Sequence, residues 1–464
     1  MTNRSYGLDA LRGFAILTMF LSGLLPFYKN TLPAWMYHAQ VPPPLHKFNP
    51  EVFGITWVDL VFPFFIFAMG AAIPLALRKQ IENGTPVFKI ILKIVERFLL
   101  LAGFAIYIQH IKPYAISPEP DLHVWMIALI GFIAIFPVLL RMPRSFSTGS
   151  VRYIRIAGYL LIPAIILYIQ LVFKKPFSLY KSDIIILVLS NIYLVGSILW
   201  LFTRKSNLLR FSVFGILIAL RLGHESSGIA NLIWNISPFP WLFKIYFLQY
   251  LFILIPGTIA GDMILKYSEV KIDKPKSDKW LILFATLTII HIPLLLYGLF
   301  TREVVTITLV AIGMSAMAYY LLRKSASGAK SLLTSMFASG VFFLFLGLLF
   351  ESYEGGIRKD HATMSYYFVT SGLAFYTLSA LIIIIDIYGK KWLNLFVTNG
   401  QNPMIAYAGI SNLIPPLLGI TGVGSLLDMI VISPWMGFVK GLFITLLLAV
   451  IVNIFTKRKI FLRA

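Results

Sequence analysis

Two histidines and an aspartate stand close together in the segment WMYHAQVPPPLHKFNPEVFGITWVDLVFPFF, which begins at Trp35. His38 and His46 lie in a polar, proline-rich stretch, and Asp59 lies at the start of the apolar run that follows. Imidazole titrates near neutral pH and can act as a base or a nucleophile, and a carboxylate can hold it in one tautomer. Ionisable groups beside hydrocarbon cost free energy to keep there, so this segment is the first candidate for chemistry or transport.

The composition indicates the environment in which this segment acts. The 464 residues are 58% hydrophobic, 15% aromatic and 13% charged. The charged fraction of a water-soluble domain is about twice as high, so a soluble globular protein is excluded. Apolar runs of roughly 20 residues, the length that crosses a bilayer, recur along the whole chain. The sequence predicts an all-α polytopic integral membrane protein, a bundle of about eleven to fourteen transmembrane helices in a single domain over residues 1–464.

The apolar runs divide into about fourteen spans. Two of them, at 208–222 and 393–413, are interrupted or bordered by Gly and Pro, so either could be a re-entrant segment. The predicted spans are 6–27, 56–77, 88–109, 123–140, 153–173, 184–202, 208–222, 243–265, 280–300, 303–322, 332–350, 366–387, 393–413 and 435–455.

The positive charge alternates between successive loops. The chain has 40 Lys and Arg against 19 Asp and Glu, a net charge of +21. The positive-inside rule places the basic loops and both termini in the cytoplasm. A nucleic-acid partner is not expected, because these residues sit in short loops beside spans and do not form one exposed face. The basic residues are Arg78, Lys79, Lys89, Lys93 and Arg97; Arg141, Arg144, Arg152 and Arg155; Arg204, Lys205 and Arg210; Lys266, Lys271, Lys274, Lys276 and Lys279; Arg323, Lys324 and Lys330; Lys390 and Lys391; Lys457, Arg458, Lys459 and Arg463.

The same alternation predicts which loops face outward. The two histidines fall in such a loop, so any chemistry is expected on the outer side. The first span is followed by no small-residue cleavage site and is expected to be a retained helix. The chain has no cysteine, which is compatible with an oxidising exterior. The outward-facing segments are 28–55, 114–123, 351–365 and 417–434.

Each ionisable residue has a structural and a functional interpretation. Asp9 and Arg12 are three residues apart on the first helix, where they could form an interfacial ion pair. Alternatively, Arg12 could bind the phosphate of a cytoplasmic ligand, because a guanidinium matches phosphate oxygens in a bidentate way. Asp59 could favour the positive end of its helix dipole or could orient a nearby imidazole. A metal site is not expected, because the histidines and Asp59 lack tight ligand spacing.

Several sequence blocks resemble a known family. LDALRGFAI, YHA and GITWVDLVFPFFIFAMGAAIPL, within 6–78, are similar to the opening of the transmembrane N-acetyltransferases typified by heparan-α-glucosaminide N-acetyltransferase and its bacterial relatives. Within 351–413, IRKDHATMSYYFVTSGLAF resembles the family's segment in which a lysine precedes a Ser-Tyr pair, and GQNPMIAYAG resembles its G-x-N-S-I segment. The VPPP loop is similar to that of a bacterial subgroup.

The resemblance implies an enzyme that transfers an acetyl group across a bacterial cytoplasmic membrane. The donor would be cytoplasmic acetyl-CoA, and the acceptor would be the amino group of a glucosamine-type sugar on the outer face. His38 matches the family's catalytic histidine, as base or as acetyl carrier, and Asp59 would orient it. The resemblance further implies that Asp9, Arg12 and Asn402 bind acetyl-CoA, and that His46, Lys359, His361, Ser365 and Tyr366 bind the acceptor.

Two other functions remain open. An O-acyltransferase of surface polysaccharide would share the topology and the histidine base. A secondary transporter of a sugar or lipid would share the many spans with sparse buried charges, but it is expected to carry internal repeats with paired broken helices, and the sequence contains no convincing repeat. The expected partners are acetyl-CoA, the glycan acceptor and membrane lipid, with a monomer and a homodimer both left open.

Overall fold

The structure is a computed structural model that describes residues 4–27, 32–142, 146–268 and 278–463. Its regular elements are helices, and no β-strand occurs in these ranges. The all-α prediction is confirmed. Short 3-10 helices lie at Ala34–Met36 and Ile245–Tyr250, and a π-helical turn lies at Ile382–Ile387. The α-helices are α1 Tyr6–Gly23, α2 Trp57–Glu82, α3 Val87–His110, α4 Pro113–Ile116, α5 Leu122–Ala134, α6 Phe136–Leu139, α7 Thr148–Phe173, α8 Ile184–Thr203, α9 Asn207–Gly223, α10 Ile229–Trp234, α11 Leu251–Ser268, α12 Lys279–Phe300, α13 Val304–Lys324, α14 Lys330–Leu349, α15 Met364–Leu381, α16 Asn394–Gln401, α17 Pro403–Asn412, α18 Ile414–Thr421, α19 Val423–Met429 and α20 Pro434–Lys457.

The protein is a polytopic integral membrane protein. Ten helices in the described ranges are long and apolar enough to cross a bilayer, and the bent pair α17 and α18 adds an eleventh if it forms one span. Ten is one below the predicted range of eleven to fourteen, and eleven is its lower bound, because three of the predicted spans depart from the apolar pattern. Helix α9 has only 17 residues, α3 begins with several charged residues, and α1 carries Asp9 and Arg12.

Polar side chains mark where many helices begin. The first backbone N–H groups of a helix have no carbonyl partner within it, so a preceding Ser, Thr or Asp side chain that accepts their hydrogen bonds stabilises the start. Short polar residues between apolar runs therefore set the helix boundaries here. Such capping side chains are Ser5, Thr56, Asp121, Ser147, Asp183, Ser206, Asp278 and Ser433.

The span predicted at 393–413 is a pair of short helices. Asn402 lies between α16 and α17, with non-helical φ and ψ angles of −128° and 55°. Pro403 has no backbone N–H to donate and is suited only to the first turn of a helix, which explains the break. A bend of 41° then separates α17 from α18. The other interrupted span, predicted at 208–222, is the single helix α9.

Contacts between loops pair the helix ends as the charge pattern predicts. Ser5 Oγ donates to Asp386 Oδ2 over 2.7 Å; Ser5 precedes the first predicted span, and Asp386 lies at the end of the span 366–387 that leads to the basic loop of Lys390. Gly54 N–H donates to the carbonyl oxygen of Ile357 over 2.7 Å, and both belong to segments predicted to face outward. Four of the predicted basic residues, Arg144, Lys271, Lys274 and Lys276, lie outside the described residues.

Helix α15 is the centre of the bundle. Nearly all of its side chains are buried, and it packs against α1, α2, α11, α12 and α14. Its enclosed tyrosine hydroxyls need partners within the protein. Tyr367 donates to Gln249 Oε1 and Tyr366 donates to the backbone carbonyl of Asp59, each over 2.8 Å. The bundle core is therefore connected directly to the N-terminal end of α2.

Helices α1 and α16 touch through their backbones. A Cβ at Gly13 would overlap the carbonyl oxygen of Phe396, and a Cβ at Gly400 would overlap that of Asp9. Lipid-embedded helices associate through such close packing, since apolar burial from water contributes little inside a bilayer. The contact brings the start of α1, with Asp9 and Arg12, against the end of α16.

We expect Gly13→Ala to destabilise the protein. Overpacking of this kind costs about 1–3 kcal/mol, and here the obstructing atoms are backbone atoms that cannot rotate away. The thermal unfolding temperature of the purified protein should fall by several degrees. Gly313→Ala in α13 is the matched control, because an added Cβ there meets nothing within 4 Å. Equal unfolding temperatures for the two variants would contradict this account of the α1–α16 contact.

Candidate active site

His38 is held in an anchored part of the loop before α2. The preceding Tyr37 is buried, and its hydroxyl donates to the carbonyl oxygen of Pro26 over 2.7 Å. The carbonyl oxygen of Tyr37 accepts a hydrogen bond from Thr56 Oγ1 over 2.7 Å. Ala39 on the other side is also buried. The backbone on both sides of His38 is therefore held in place, which gives the imidazole a defined position.

Asp59 serves helix α2 and His38 at the same time. Its Oδ2 accepts from the backbone N–H of Thr56 over 2.9 Å and of Ala39 over 3.3 Å, and the first bond completes a capping box at the start of α2. Its Oδ1 lies 3.0 Å from Nδ1 of His38. The side chain of Asp59 has no exposed surface. Asp59 therefore caps α2 through one oxygen and lies beside the imidazole through the other, and its role in orienting His38 stays a prediction.

Two groups approach Nδ1 of His38. The backbone N–H of Gln40 donates to Nδ1 over 3.2 Å, whereas Oδ1 of Asp59 lies at ion-pair distance without an aligned donor in the described chain. A ring nitrogen has either a lone pair or a proton, so it can satisfy one of the two groups at a time. With Gln40 as donor, a neutral ring carries its proton on Nε2; with Asp59 as acceptor, the proton is on Nδ1. The tautomer thus depends on the balance between these contacts.

The other ring nitrogen faces a second carboxylate, which belongs to Asp360. Oδ2 of Asp360 lies 3.1 Å from Nε2 of His38. The Asp360 side chain is 43% exposed, so Nε2 is the nitrogen on the accessible side of the ring. Burial would raise the pKa of Asp360, but the hydrogen bond with His38 and the charge of Lys359 bring it below its ordinary value of 3.8. Asp360 is therefore ionised at neutral pH.

Gln40 connects the loop of His38 to the loop of Asp360. Its side-chain amide donates to the carbonyl oxygen of Asp360 and accepts from the backbone N–H of Asp360 over 2.8 Å. Gln40 is completely buried, so water does not replace these bonds. The backbone of Asp360 is therefore held independently of its carboxylate.

Lys359 is the third charged group beside His38. Its Nζ lies 3.9 Å from Oδ1 of Asp59. Two carboxylates and one ammonium leave the cluster with one negative charge when the imidazole is neutral. The arginines of the surrounding loops are each paired with a glutamate: Arg221 with Glu354 at 3.0 Å, Arg302 with Glu351 at 2.5 Å and Arg358 with Glu51 at 4.0 Å.

His46 lies apart from the charged cluster. Its ring packs against Tyr37 at 4.6 Å and Phe27 at 4.9 Å between ring centroids. Neither ring nitrogen has a hydrogen-bond partner among the described residues. The structure thus makes His46 part of the aromatic anchor of the loop, and its predicted contact with the acceptor stays a prediction.

The remaining predicted acceptor residues occupy different positions around the loop 350–363. Lys359 and Tyr366 contact the cluster through Asp59, as described above. His361 is exposed beside Asp360. Ser365 is fully buried, and its hydroxyl has no hydrogen-bond partner in the described ranges. Their binding roles are not tested by these positions.

A second polar feature lies at the other end of α2. Four arginine side chains, those of Arg4, Arg12, Arg97 and Arg463, line a cavity of ≈ 180 Å³ whose walls include α1, α2, α3 and α8. We call it the arginine pocket. Burial, followed by the positive charges of Arg4 and Arg12, lowers the pKa of Arg463 to about 10. Clustered guanidinium groups repel one another, so this pocket favours an anion such as a phosphate.

The predicted pair of Asp9 and Arg12 is present at this pocket. Oδ1 of Asp9 lies 3.7 Å from Arg12, and its Oδ2 lies 2.5 Å from Nε of Arg4. Arg12 also donates to the backbone carbonyl of Gly400 over 3.1 Å. One carboxylate therefore partly neutralises two of the four arginines, and the pocket keeps an excess of positive charge.

Asn402 fastens the C-terminal segment that contributes Arg463. Its Nδ2 donates to the carbonyl oxygen of Ile460 over 2.7 Å, and its Oδ1 accepts from the N–H of Leu462 over 3.4 Å. These bonds occupy both polar atoms of the buried amide. Asn402 thus positions part of the pocket wall, and its predicted contact with acetyl-CoA stays a prediction.

Packed side chains separate the two features. Phe65 is the pocket-lining residue of α2 closest to Asp59, six positions further along the helix, which is a rise of about 9 Å. The residues of α2 between these positions are buried. The lining of the arginine pocket on α2 therefore stops at Phe65 and does not extend along this helix to Asp59.

Reasoning from the sequence missed Asp360 and Gln40 as site residues. Asp360 follows Lys359 within the block that resembles the acetyltransferases, and a carboxylate between two basic residues in an outward loop was an available signal. Gln40 had no such signal. Arg97 and Arg463 were recognised only as basic residues near helix ends, and their meeting with Arg12 depends on helix packing.

We expect Gln40→Leu to loosen the junction between the two loops. The substitution leaves the N–H and carbonyl groups of Asp360 without their partners, at a cost of about 1–3 kcal/mol for each unsatisfied buried group. Hydrogen exchange measured by mass spectrometry should accelerate in peptides covering 350–363. Asn49→Ala is the control, because the Asn49 side chain is exposed and bonds within its own turn. Unchanged exchange in both variants would show that Gln40 does not hold the junction.

Comparison with known proteins adds one match. A family model described as a domain of unknown function, DUF5009, matches residues 4–264, which is more than half of the chain and includes His38 and Asp59. No curated protein matches the chain. The chain belongs to the DUF5009 family.

Proposed function

We propose that this protein is a membrane-embedded acyltransferase of a bacterial cytoplasmic membrane. It moves an acetyl group from cytoplasmic acetyl-CoA to the amino group of a glucosamine-type sugar on the outer face. The observation that carries the proposal is the arrangement along α2, with His38 between two carboxylates at one end and four arginines around a pocket at the other. The resemblance of 6–78 and 351–413 to transmembrane N-acetyltransferases supports the same reaction.

The arginine pocket suits the phosphates of acetyl-CoA. Phosphates cannot enter hydrocarbon, so the nucleotide stays at the positively charged end, where the basic loops add to the attraction. The guanidinium of Arg97 lies over the ring of Tyr193, 4.7 Å from its centroid, and both residues line the pocket. The pantetheine arm is thin and mostly uncharged, and Phe65 and Met69 provide an apolar wall in the direction of His38.

His38 supports two routes of acetyl transfer. As a base, Nε2 takes a proton from the acceptor amine while the nitrogen–carbonyl bond forms and the carbon–sulfur bond breaks; the CoA thiolate then takes up a proton. As a carrier, Nε2 first receives the acetyl group and then passes it to the amine. Both routes need the ring proton on Nδ1, facing Asp59. Lys359 is the cation of the cluster and is suited to stabilise the oxyanion of the tetrahedral intermediate.

A transporter is the second candidate, and one observation favours it. Tyr407 lines the arginine pocket and also a cavity of ≈ 1060 Å³ on its other side. Its hydroxyl donates to Asp183 over 2.7 Å, and Lys112 pairs with the same carboxylate at 3.1 Å. Two cavities separated by a thin polar barrier are what alternating access requires. Uptake of a phosphate-bearing solute into vesicles without acetyl transfer would favour this function over the enzyme.

We expect His38→Ala to abolish turnover of acetyl-CoA by the purified protein in detergent. Loss of a general base alone lowers a rate by about 10²–10⁴-fold, and loss of a carrier lowers it further. Release of free CoA, measured with a thiol reagent, follows the reaction with and without glucosamine. His123→Ala is the matched control, since His123 is the second residue of α5 and its ring hydrogen-bonds with the hydroxyl of Tyr168. Equal rates for wild type and His38→Ala would refute the proposed function.

We expect Arg97→Gln and Arg463→Gln to weaken the binding of acetyl-CoA without changing the rate of acetyl transfer from bound acetyl-CoA. Each substitution removes a positive charge from the arginine pocket, so KM for acetyl-CoA should rise by about 5–20-fold while kcat changes little. The difference in KM between the variants and wild type should become smaller at high salt, because screening also weakens the attraction between the wild-type arginines and the phosphates. Arg323→Gln is the control, because its guanidinium lies over Tyr319 at the end of α13 and not in the pocket. An unchanged KM for acetyl-CoA in both pocket variants would show that acetyl-CoA does not bind in the arginine pocket.

A further inference from the structure

Asp360 covers the ring nitrogen that the proposed reaction needs. Its Oδ2 accepts from Nε2 of His38 over 3.1 Å, and with this contact in place Nε2 carries a proton and cannot accept another. The other ring nitrogen, Nδ1, lies 3.0 Å from Oδ1 of Asp59, which favours a proton on Nδ1. The two carboxylates thus compete for one proton of a neutral imidazole, and the outcome decides whether Nε2 can react.

The carboxylate of Asp360 is free to move while its backbone stays in place. Gln40 binds the N–H and the carbonyl oxygen of Asp360, so the position of the residue does not depend on its contact with His38. The side chain is 43% exposed and lies at the accessible side of the site. A rotation of this side chain would uncover Nε2 without any change in the fold.

The charges around the site favour a cation as the trigger for that rotation. The cluster of Asp59, Asp360 and Lys359 carries one negative charge beside a neutral imidazole. The neighbouring arginines are occupied by glutamates, so they do not supply the missing positive charge. A partly exposed, ionised carboxylate at this position has the charge and the access to pair with an ammonium group.

We propose that Asp360 is a latch on His38 that the ammonium group of the acceptor releases. This inference rests on the proposed function. The ammonium pairs with Asp360 and draws it off Nε2, and the ring proton then sits on Nδ1 against Asp59. The freed Nε2 takes one proton from the ammonium, the nitrogen attacks the thioester carbonyl, the carbon–sulfur bond breaks and His38 protonates the thiolate. The second proton leaves the new amide nitrogen for solvent, so the products are the amide, CoA thiol and one proton.

Such a latch prevents hydrolysis of acetyl-CoA when no acceptor is bound. An uncovered imidazole near a thioester would also activate water, and acetyl-CoA would be hydrolysed in the absence of an acceptor. A neutral hydroxyl acceptor cannot release the latch, because it brings no charge to compete for Asp360. Asp360 would therefore act as a specificity residue that selects amines over alcohols.

The test compares three variants of Asp360 in the purified full-length protein, with glucosamine as the amine probe and glucose as its hydroxyl counterpart. Asp360→Ala removes both the charge and the acceptor on Nε2, so acetyl-CoA hydrolysis without a sugar should rise about 5-fold or more, and KM for glucosamine should rise about 10-fold. Asp360→Asn removes the charge but keeps an oxygen for Nε2, so it should raise KM without raising hydrolysis. Asp360→Glu should restore part of the affinity for glucosamine.

Glu119→Gln is the matched control, because Glu119 is an exposed carboxylate in another loop, between α4 and α5. It should leave both readings unchanged, and unfolding temperatures confirm that all variants are folded. A parallel fall of hydrolysis and transfer in Asp360→Ala, or an unchanged KM for glucosamine, would overturn the latch. Acetyl-CoA turnover in wild type that does not depend on His38 would instead overturn the proposed function itself, so the two failures are distinguishable.

Discussion

The rest of this structure depends on how the fully buried carboxylate of Asp59 is stabilised. A charge without exposed surface at the edge of a hydrocarbon layer is costly unless hydrogen bonds and opposite charges surround it. Backbone N–H groups of Thr56 and Ala39 bind one oxygen, and Lys359 and His38 lie near the other. These partners come from the start of α2, the loop before it and the loop before α15. Stabilising one carboxylate therefore requires the start of α2 and the loop before it to meet a segment 300 positions further along the chain, and their meeting point is where His38 lies.

The bilayer imposes a second constraint, because polar ligands cannot be brought to the middle of the bundle. Positive charge collects in the arginine pocket at one end of α2, and an excess of negative charge collects around His38 at the other. The two ends thus favour ligands of opposite charge. About 9 Å of buried helix between Asp59 and Phe65 separates the two ends. The arginine pocket therefore does not reach the site of His38 along α2.

The site around His38 combines a rigid frame with one adjustable group. Gln40 fixes the backbone of Asp360, the capping box fixes Asp59, and buried neighbours fix the backbone at His38. Within that frame the carboxylate of Asp360 is partly exposed, and its Oδ2 contacts Nε2 of His38. A preorganised site with a single mobile side chain can change the protonation of its imidazole at little conformational cost, which is how a binding event could control reactivity.

The amino-acid sequence by itself determined the class of protein and the local part of the site. Apolar runs of spanning length and breaks at Pro and Gly are short-range patterns, so they predicted the all-α membrane bundle and the interruption of the span at 393–413. His38 and Asp59 are 21 positions apart in neighbouring elements, and their pairing was accessible to the same reasoning.

Only the tertiary structure decided which distant side chains complete each site. Asp360 is 322 positions from His38, and Arg463 reaches the pocket of Arg12 because Asn402 holds the C-terminal segment there. Such meetings depend on how glycine-mediated contacts and buried tyrosines pack the helices, and the periodicity of a single helix contains no information about its neighbours.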